Sequence, residues 1–296
     1  MKIGIDLGGS HISVGIVSEE GKILAKQEQD IFFIEHVDNN IKQLIRDTAV
    51  SLINVTLKQL QIPIFLIDEI GIGIPGIVED NKIKKCSKFK IDDWDLAKEL
   101  EEYYQIRVKL ENDAVCSTIS EYTYGNLKDV DRGMYICLGT GIGGATILNG
   151  KILQSELGHM IIQKDDGKEC NCLNKGCFET YSSMKVFKEE VIELLNLNKD
   201  TTSEELLKIL INEKQNDKLN NYIDKYINNL ILGISNIINI LQPEIICIGG
   251  SFVYFEEILY KRLLEKIHLY SYQFKKPKIV LSMLKNDAGI IGATLI

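Results

Sequence analysis

Three cysteines and a histidine offer the most specific chemistry in this 296-residue chain. Cys170-Asn-Cys172 is followed by Cys177, and His159 lies upstream in Glu156-Leu-Gly-His159. Thiolate and imidazole are the preferred ligands of tetrahedral Zn²⁺, and three Cys with one His fill all four positions. The plainer alternative is a loop of reduced thiols. However, Asn171, Asn174, Lys175 and Gly176 make the segment polar, unlike the apolar interior where free cysteines usually hide. A closed set of four ligands is structural, because it leaves no position for a catalytic water. Fixing His159 also fixes the two carboxylates that bracket the knot, Glu156 and Glu179.

Two glycine-rich turns could hold phosphate. In Asp6-Leu-Gly8-Gly9-Ser10 a carboxylate ends an apolar strand beside two glycines. Glycines let backbone N–H groups approach a phosphate, while the aspartate can hold Mg²⁺ directly or through water. Gly139-Thr140-Gly141-Ile-Gly143-Gly144 contains G-x-G-x-x-G, but Ala145-Thr-Ile-Leu148 continues as strand where a dinucleotide fingerprint should open a helix. A hairpin that clamps phosphate remains. Glu111-Asn112-Asp113-Ala114 closes a third strand, at the end where open α/β sheets place ligands. Taken singly, Asn112 or Asp113 reads as a helix cap. Beside two phosphate loops, a carboxylate could instead accept a hydroxyl proton during phosphoryl transfer.

The elements that must position these groups repeat. Ile3 to Leu24 reads as strand, glycine turn, strand, a short turn at Glu20-Gly21 and a third strand ending at Leu24. Residues 134 to 153 follow the same plan and end in Gly150-Lys-Ile-Leu153. This predicts a duplicated domain. Helical periodicity runs over 39–60, 95–104, 183–195, 203–211, 216–241 and 254–268, with a last helix from Ala288. Further strands are expected at 69–74, 108–110, 244–248 and 278–281, so helices should cover the faces of α/β sheets.

With 45% hydrophobic residues the chain can bury two cores, and its net charge of −8 argues against nucleic acid or an acidic membrane as partner. No apolar run approaches the roughly eighteen residues of a membrane span, and Asp6 interrupts any signal-peptide core. Seven scattered cysteines do not make a disulfide framework, so a reducing cytoplasm is expected.

These motifs, together with Gly71-x-Gly73-x-Pro75-Gly76-x-Val78 and Asn286-Asp-Ala-Gly-Ile-Ile-Gly-Ala293, occur in an order that resembles the ROK family of sugar kinases and repressors, within the actin-like ATPase superfamily. The resemblance implies duplicated, ribonuclease H-like α/β domains forming two lobes around a cleft, with a zinc-bound loop. A small lobe of 1–115 with 285–296 and a large lobe of 116–284 are expected. It implies ATP, Mg²⁺ and structural Zn²⁺, a hexose substrate and a homodimer. Asp113 would be the catalytic base. Gly76, Ser87, Asn112, Asp113, Glu156, His159 and Glu179 would meet the sugar. Gly8, Gly9, Ser10, Gly139, Thr140 and Gly141 would face the phosphates, Asp6 would anchor Mg²⁺, and Gly249 and Gly250 would lie near the adenosine.

Two positions depart from the family pattern. Ser10-His11 stands where Thr-Lys is usual, keeping the hydroxyl and losing a cation. Ser87 falls about where a sugar-binding asparagine is common. A neutral hydrogen bond is worth only about 1 kcal/mol, so these departures bear on the sugar more than on the reaction. The expected activity is transfer of phosphate from ATP to a hexose 6-hydroxyl, with glucose the default acceptor and N-acetylmannosamine the nearest rival. A sugar-sensing repressor or non-catalytic binder is disfavoured by the acidic charge, by a strand beginning almost at Met1, and by the presence of Asp6 and Asp113.

Overall fold

Alternating glycine and isoleucine explains the first sheet. Strands β1 (Lys2–Leu7), β2 (His11–Val17) and β4 (Ile70–Ile74) pair so that Gly15, Gly4 and Gly71 lie side by side in register. A side chain at Gly4 or Gly71 would collide with the backbone of Ile290 or Ala293. The glycine stripe therefore seats helix α9 (Ala288–Ala293) directly on the sheet. Alternation sends Ile3, Ile5 and Leu7 to the opposite face, where they share a core with Ile45, Leu52 and Ile53 of helix α1 (Ile41–Leu60). The computed structural model describes residues 1–8, 11–30, 41–267 and 276–296. The expected helix over 39–60 and the long one over 254–268 begin or end at residues outside that set.

The chain divides into two compact units, Met1–Asp129 with Asn286–Ile296, and Val130–Lys285. In the first, β3 (Ile23–Asp30), β2, β1, β4 and β8 (Val108–Asn112) form one sheet in that order. β1, β4 and β8 are mutually parallel, and β2 and β3 run against them. The division falls after Asp129 rather than after residue 115, because helix α3 (Asp113–Tyr124) packs along α9 inside the first unit.

In the second unit β11 (Lys151–Gln154), β10 (Ile142–Leu148), β9 (Arg132–Leu138), β12 (Ile245–Gly249) and β13 (Lys278–Leu281) form a sheet of the same topology. β9, β12 and β13 are parallel, and β10 and β11 antiparallel. The duplication read from the two glycine hairpins is thus a duplication of whole sheets. Helices α5 (Met184–Leu194), α6 (Ser203–Asn212) and α7 (Asp217–Leu241) bury Phe187, Leu206, Tyr226 and Ile234 against it. No helix among the described residues is long and apolar enough to cross a membrane.

Two features differ from expectation. A separate three-stranded sheet, β5 (Ile77–Glu79), β6 (Lys82–Cys86) and β7 (Ile91–Trp94), joins β4 to helix α2 (Leu96–Tyr104). The expected helix over 254–268 is instead a 3₁₀ turn Gly250–Phe255, a π turn Glu256–Tyr260 and α8 (Lys261–Lys266). The periodicity is met by burial of Phe252, Phe255, Leu259 and Leu263, while the backbone changes pitch between them.

Candidate functional site

Register gathers the acids of the first unit. Asp6 on β1 pairs with Gly73 on β4, and Gly73 with Glu111 on β8, so the carboxyl ends of three parallel strands finish together. α3 starts at Asp113, immediately beyond that edge. Asp6 is partly buried, on the sheet face covered by α9. A side chain at Gly289 would collide with its carboxylate, so α9 forms the wall behind Asp6. Burial above all, and next the charge of Asp113, push the Asp6 carboxyl up to about 7 against the pull of Lys26. Lys26 itself is tied to Asp287 at 3.2 Å. A divalent cation would offset both the burial and the Asp113 charge that make Asp6 costly to ionise, so the donor set at Asp6 fits Mg²⁺.

Asn112 is buried and its amide is committed within the unit. Its Oδ1 accepts from the N–H groups of Ala114 (3.0 Å) and Val115 (3.2 Å), capping α3. Its Nδ2 donates to the carbonyl of Gly76 at 3.0 Å. Gly76, with φ of 131°, passes so close to the Lys85 carbonyl that a side chain would collide there. Asp113 Oδ1 accepts from the Ala114 N–H at 2.8 Å. Ser87 is exposed in the turn after β6. Its neighbour Cys86 is pushed up to about 11, chiefly by burial with a contribution from the Asp113 charge, so this turn lies within electrostatic reach of Asp113. Gly8 donates to the His11 carbonyl at 3.0 Å, and Gly9 and Ser10 lie outside the described residues.

In the second unit the ligand atoms of His159, Cys170, Cys172 and Cys177 all lie within 4.8 Å of one another. The Cys172 and Cys177 sulfurs are 3.5 Å apart, and Cys170 Sγ is 3.6 Å from His159 Nδ1. A tetrahedral ion with bonds of about 2.3 Å to sulfur and about 2.0 Å to nitrogen has edges of roughly 3.8 and 3.5 Å, so the cluster can close on one zinc. Burial pushes the Cys170 and Cys177 thiols up, while Cys172 is held down against its burial by the Asn174 N–H and its neighbouring thiols, so thiolates beyond Cys172 need a cation among them. The knot is built from short turns: the 3₁₀ segment Leu157–His159, the left-handed Leu173 and Gly176, and helix α4 (Glu179–Ser182).

The glycine hairpin lies beside this knot. A methyl at Gly139 would meet nothing within 4 Å, and Thr140 is exposed, so the tip is open to a ligand. Gly141 is closed on its other side, where a methyl would lie 2.7 Å from Glu179 Oε2. Glu179 Oε1 faces the knot, 3.2 Å from Cys170 Sγ and 3.7 Å from His159 Nδ1. Glu156 Oε2 is 4.0 Å from His159 Nε2. Gly249 pairs with Cys137 at the carboxyl edge of β9, and Gly250 (φ 73°) packs on the Leu138 carbonyl, so both adjoin the hairpin. The sequence reading missed Lys26 and the placement of Gly289. It traced the third strand only to Leu24, whereas β3 extends to Asp30 and carries Lys26 along the sheet.

The model of the ROK family matches residues 2–296. The chain belongs to that family. It is 31% identical to a glucokinase of Thermotoga maritima, over 99% of this chain and 96% of that protein. It is 26% identical to the xylose repressor of Bacillus subtilis, over 99% of this chain but 76% of the repressor. A ROK glucokinase from Streptomyces griseus, solved with glucose and AMPPNP, superposes with a TM-score of 0.81 at 22% identity, over 99% of this chain and 97% of that one. The fold is the duplicated α/β fold of ROK proteins. Relatives that phosphorylate sugars and relatives that repress genes share it.

Proposed function

We propose that this ROK protein transfers the terminal phosphoryl group of ATP to the 6-hydroxyl of a hexose, with glucose the first candidate. The observation that carries this reading is the shared edge of β1, β4 and β8, which sets Asp6 and Asp113 close enough for one charge to perturb the other. Asp113 accepts the hydroxyl proton. Aspartate is a weak base toward an alcohol, but a loose transition state releases the proton late, so holding the hydroxyl in line matters more than basicity. Asn112, rigid as the α3 cap, fixes the backbone from which Asp113 projects. Asp6 is the anchor for Mg²⁺, which when bound offsets phosphate charge. The open hairpin tip at Gly139, Thr140 and Gly141 faces the phosphates; the Gly139 N–H is spent on the Gly141 carbonyl at 3.0 Å, so the N–H groups offered are those of Thr140 and Gly141, with Gly249 and Gly250 toward the adenosine. Glu156, His159 and Glu179 meet the sugar, and zinc holds His159 in place.

The kinship with a xylose repressor favours a second reading, a sugar sensor without turnover. A coupled ADP-release assay over glucose, mannose, N-acetylmannosamine, N-acetylglucosamine and xylose separates the two. Hexose-dependent ADP formation is expected. Sugar binding by calorimetry with no ADP from any sugar would overturn the kinase reading.

A further inference from the structure

The backbone of Ile142, the first residue of β10, is held on both sides by segments of the metal knot. Its N–H donates to Glu179 Oε2 through a long hydrogen bond of 3.4 Å, and Glu179 stands two residues after Cys177. Its carbonyl lies so close to Gly158 that a side chain there would collide with it, and Gly158 directly precedes His159. Beyond the knot, the Lys185 N–H at the start of α5 donates to the Gly139 carbonyl at 3.2 Å. The Phe178 N–H donates to the Met160 carbonyl at 2.7 Å, locking the two clasping segments to each other.

We infer that the metal knot sets the shape of the Gly139–Gly144 hairpin through the clasp of Glu179 and Gly158 on Ile142, so that metal occupancy governs the phosphate-binding loop as well as His159. Besides the sugar contact proposed for it, Glu179 positions the hairpin. One carboxylate oxygen faces the cluster, where an ion's charge retains it, and the other reaches the hairpin amide. The inference rests on the kinase reading only for what the hairpin binds. The coupling itself is a property of the second unit.

Coupling between two sites is reciprocal, so it can be read from either end. Hydrogen exchange of the 139–144 amides is compared in zinc-loaded and chelator-stripped protein, and zinc transfer to a chromophoric chelator is timed for Gly141→Ala. A coupling of typical size predicts about tenfold faster exchange in the hairpin after stripping, with strand β12 changed far less. It also predicts about tenfold faster zinc loss from Gly141→Ala, although residue 141 is not a ligand and its new methyl touches only Glu179 Oε2. Glu179→Ala should exchange quickly in the hairpin while zinc is still bound, with little added by stripping. If that variant does not fold, the other two measurements decide. Unchanged hairpin exchange in the stripped parent, or parental zinc loss from Gly141→Ala, would overturn the inference. Neither readout uses nucleotide or sugar, so failure of the kinase reading would show separately, as absent ADP formation.

Discussion

The two sheets have one topology and different chemistry at the same place. On β1 the residue paired with Gly73 of the neighbouring parallel strand is Asp6; on β9 the residue paired with Gly249 is Cys137. The strand after the glycine position leads, in the first unit, into Glu111-Asn112-Asp113. In the second unit, β13 leads instead into a chain that returns to the first unit as α9. One copy therefore concentrates carboxylates at its carboxyl edge, while the other presents an open hairpin braced by a thiol–imidazole knot. The fold supplies the edge, and single residues decide which chemistry stands on it.

The largest contrast concerns the knot, which the first unit lacks among its described residues. One zinc per chain is expected by elemental analysis. Structural zinc contributes on the order of 10–16 kcal/mol in small peptides, against ~5–15 kcal/mol for the stability of a domain. Chelation should open 156–179 to limited proteolysis while segments of the first unit stay protected. Zinc-free protein that resists cleavage there would break the contrast.

Asp6 sharpens it from the other side. In zinc-loaded, magnesium-free protein the unfolded chain gives up the Asp6 proton near pH 4, the folded chain only near 7. Between those values the folded state binds more protons, so this group makes stability fall as pH rises, and the loss is complete above 7. Asp6→Asn should therefore be more stable than the parent above pH 7. The expected gain is about 1–3 kcal/mol, discounted because the carboxylate remains partly solvated, with no gain below pH 4. Equal thermal stabilities at pH 8 would contradict the raised pKa.

The smallest effect lies at the tip of the knot. Leu173 is 95% exposed and adopts φ of 73°, a left-handed conformation that a branched side chain dislikes by roughly 1–2 kcal/mol. Glycine relieves that strain but gives the unfolded chain more freedom, so Leu173→Gly should raise the melting temperature of zinc-loaded protein by only about 1–3 °C. A lower melting temperature would mean that Leu173 makes a contact worth more than its strain.

The sequence exposed these regions unevenly. Glycine hairpins and the cysteine spacing carry their own geometry, so the paired hairpins and the clustering of His159 with the three cysteines could be read directly. The sheet of β5, β6 and β7 could not, because Lys82-Ile-Lys-Lys-Cys86 and Ile91-Asp-Asp-Trp94 bury only Ile83, Cys86, Ile91 and Trp94 among charges. Short strands of that composition give no clear period. The wall behind Asp6 was hidden for another reason. Gly289 is remote in sequence, and its value is the space it leaves. Asn112 was legible both as cap and as sugar ligand, and the cap is what its hydrogen bonds within the unit satisfy.

Asp113 bears most directly on the central claim, that the acid edge of the first unit performs phosphoryl transfer. Asparagine at 113 keeps the volume and can still accept from the Ala114 N–H, so the start of α3 should survive. The measurement is kcat for ADP release with the preferred hexose, alongside the sugar dissociation constant, for parent and Asp113→Asn. A fall in kcat of about 10²–10⁴ with sugar binding changed far less is the predicted result. A variant that turns over within a few-fold of the parent would contradict the account and leave Asp113 as part of the helix cap alone.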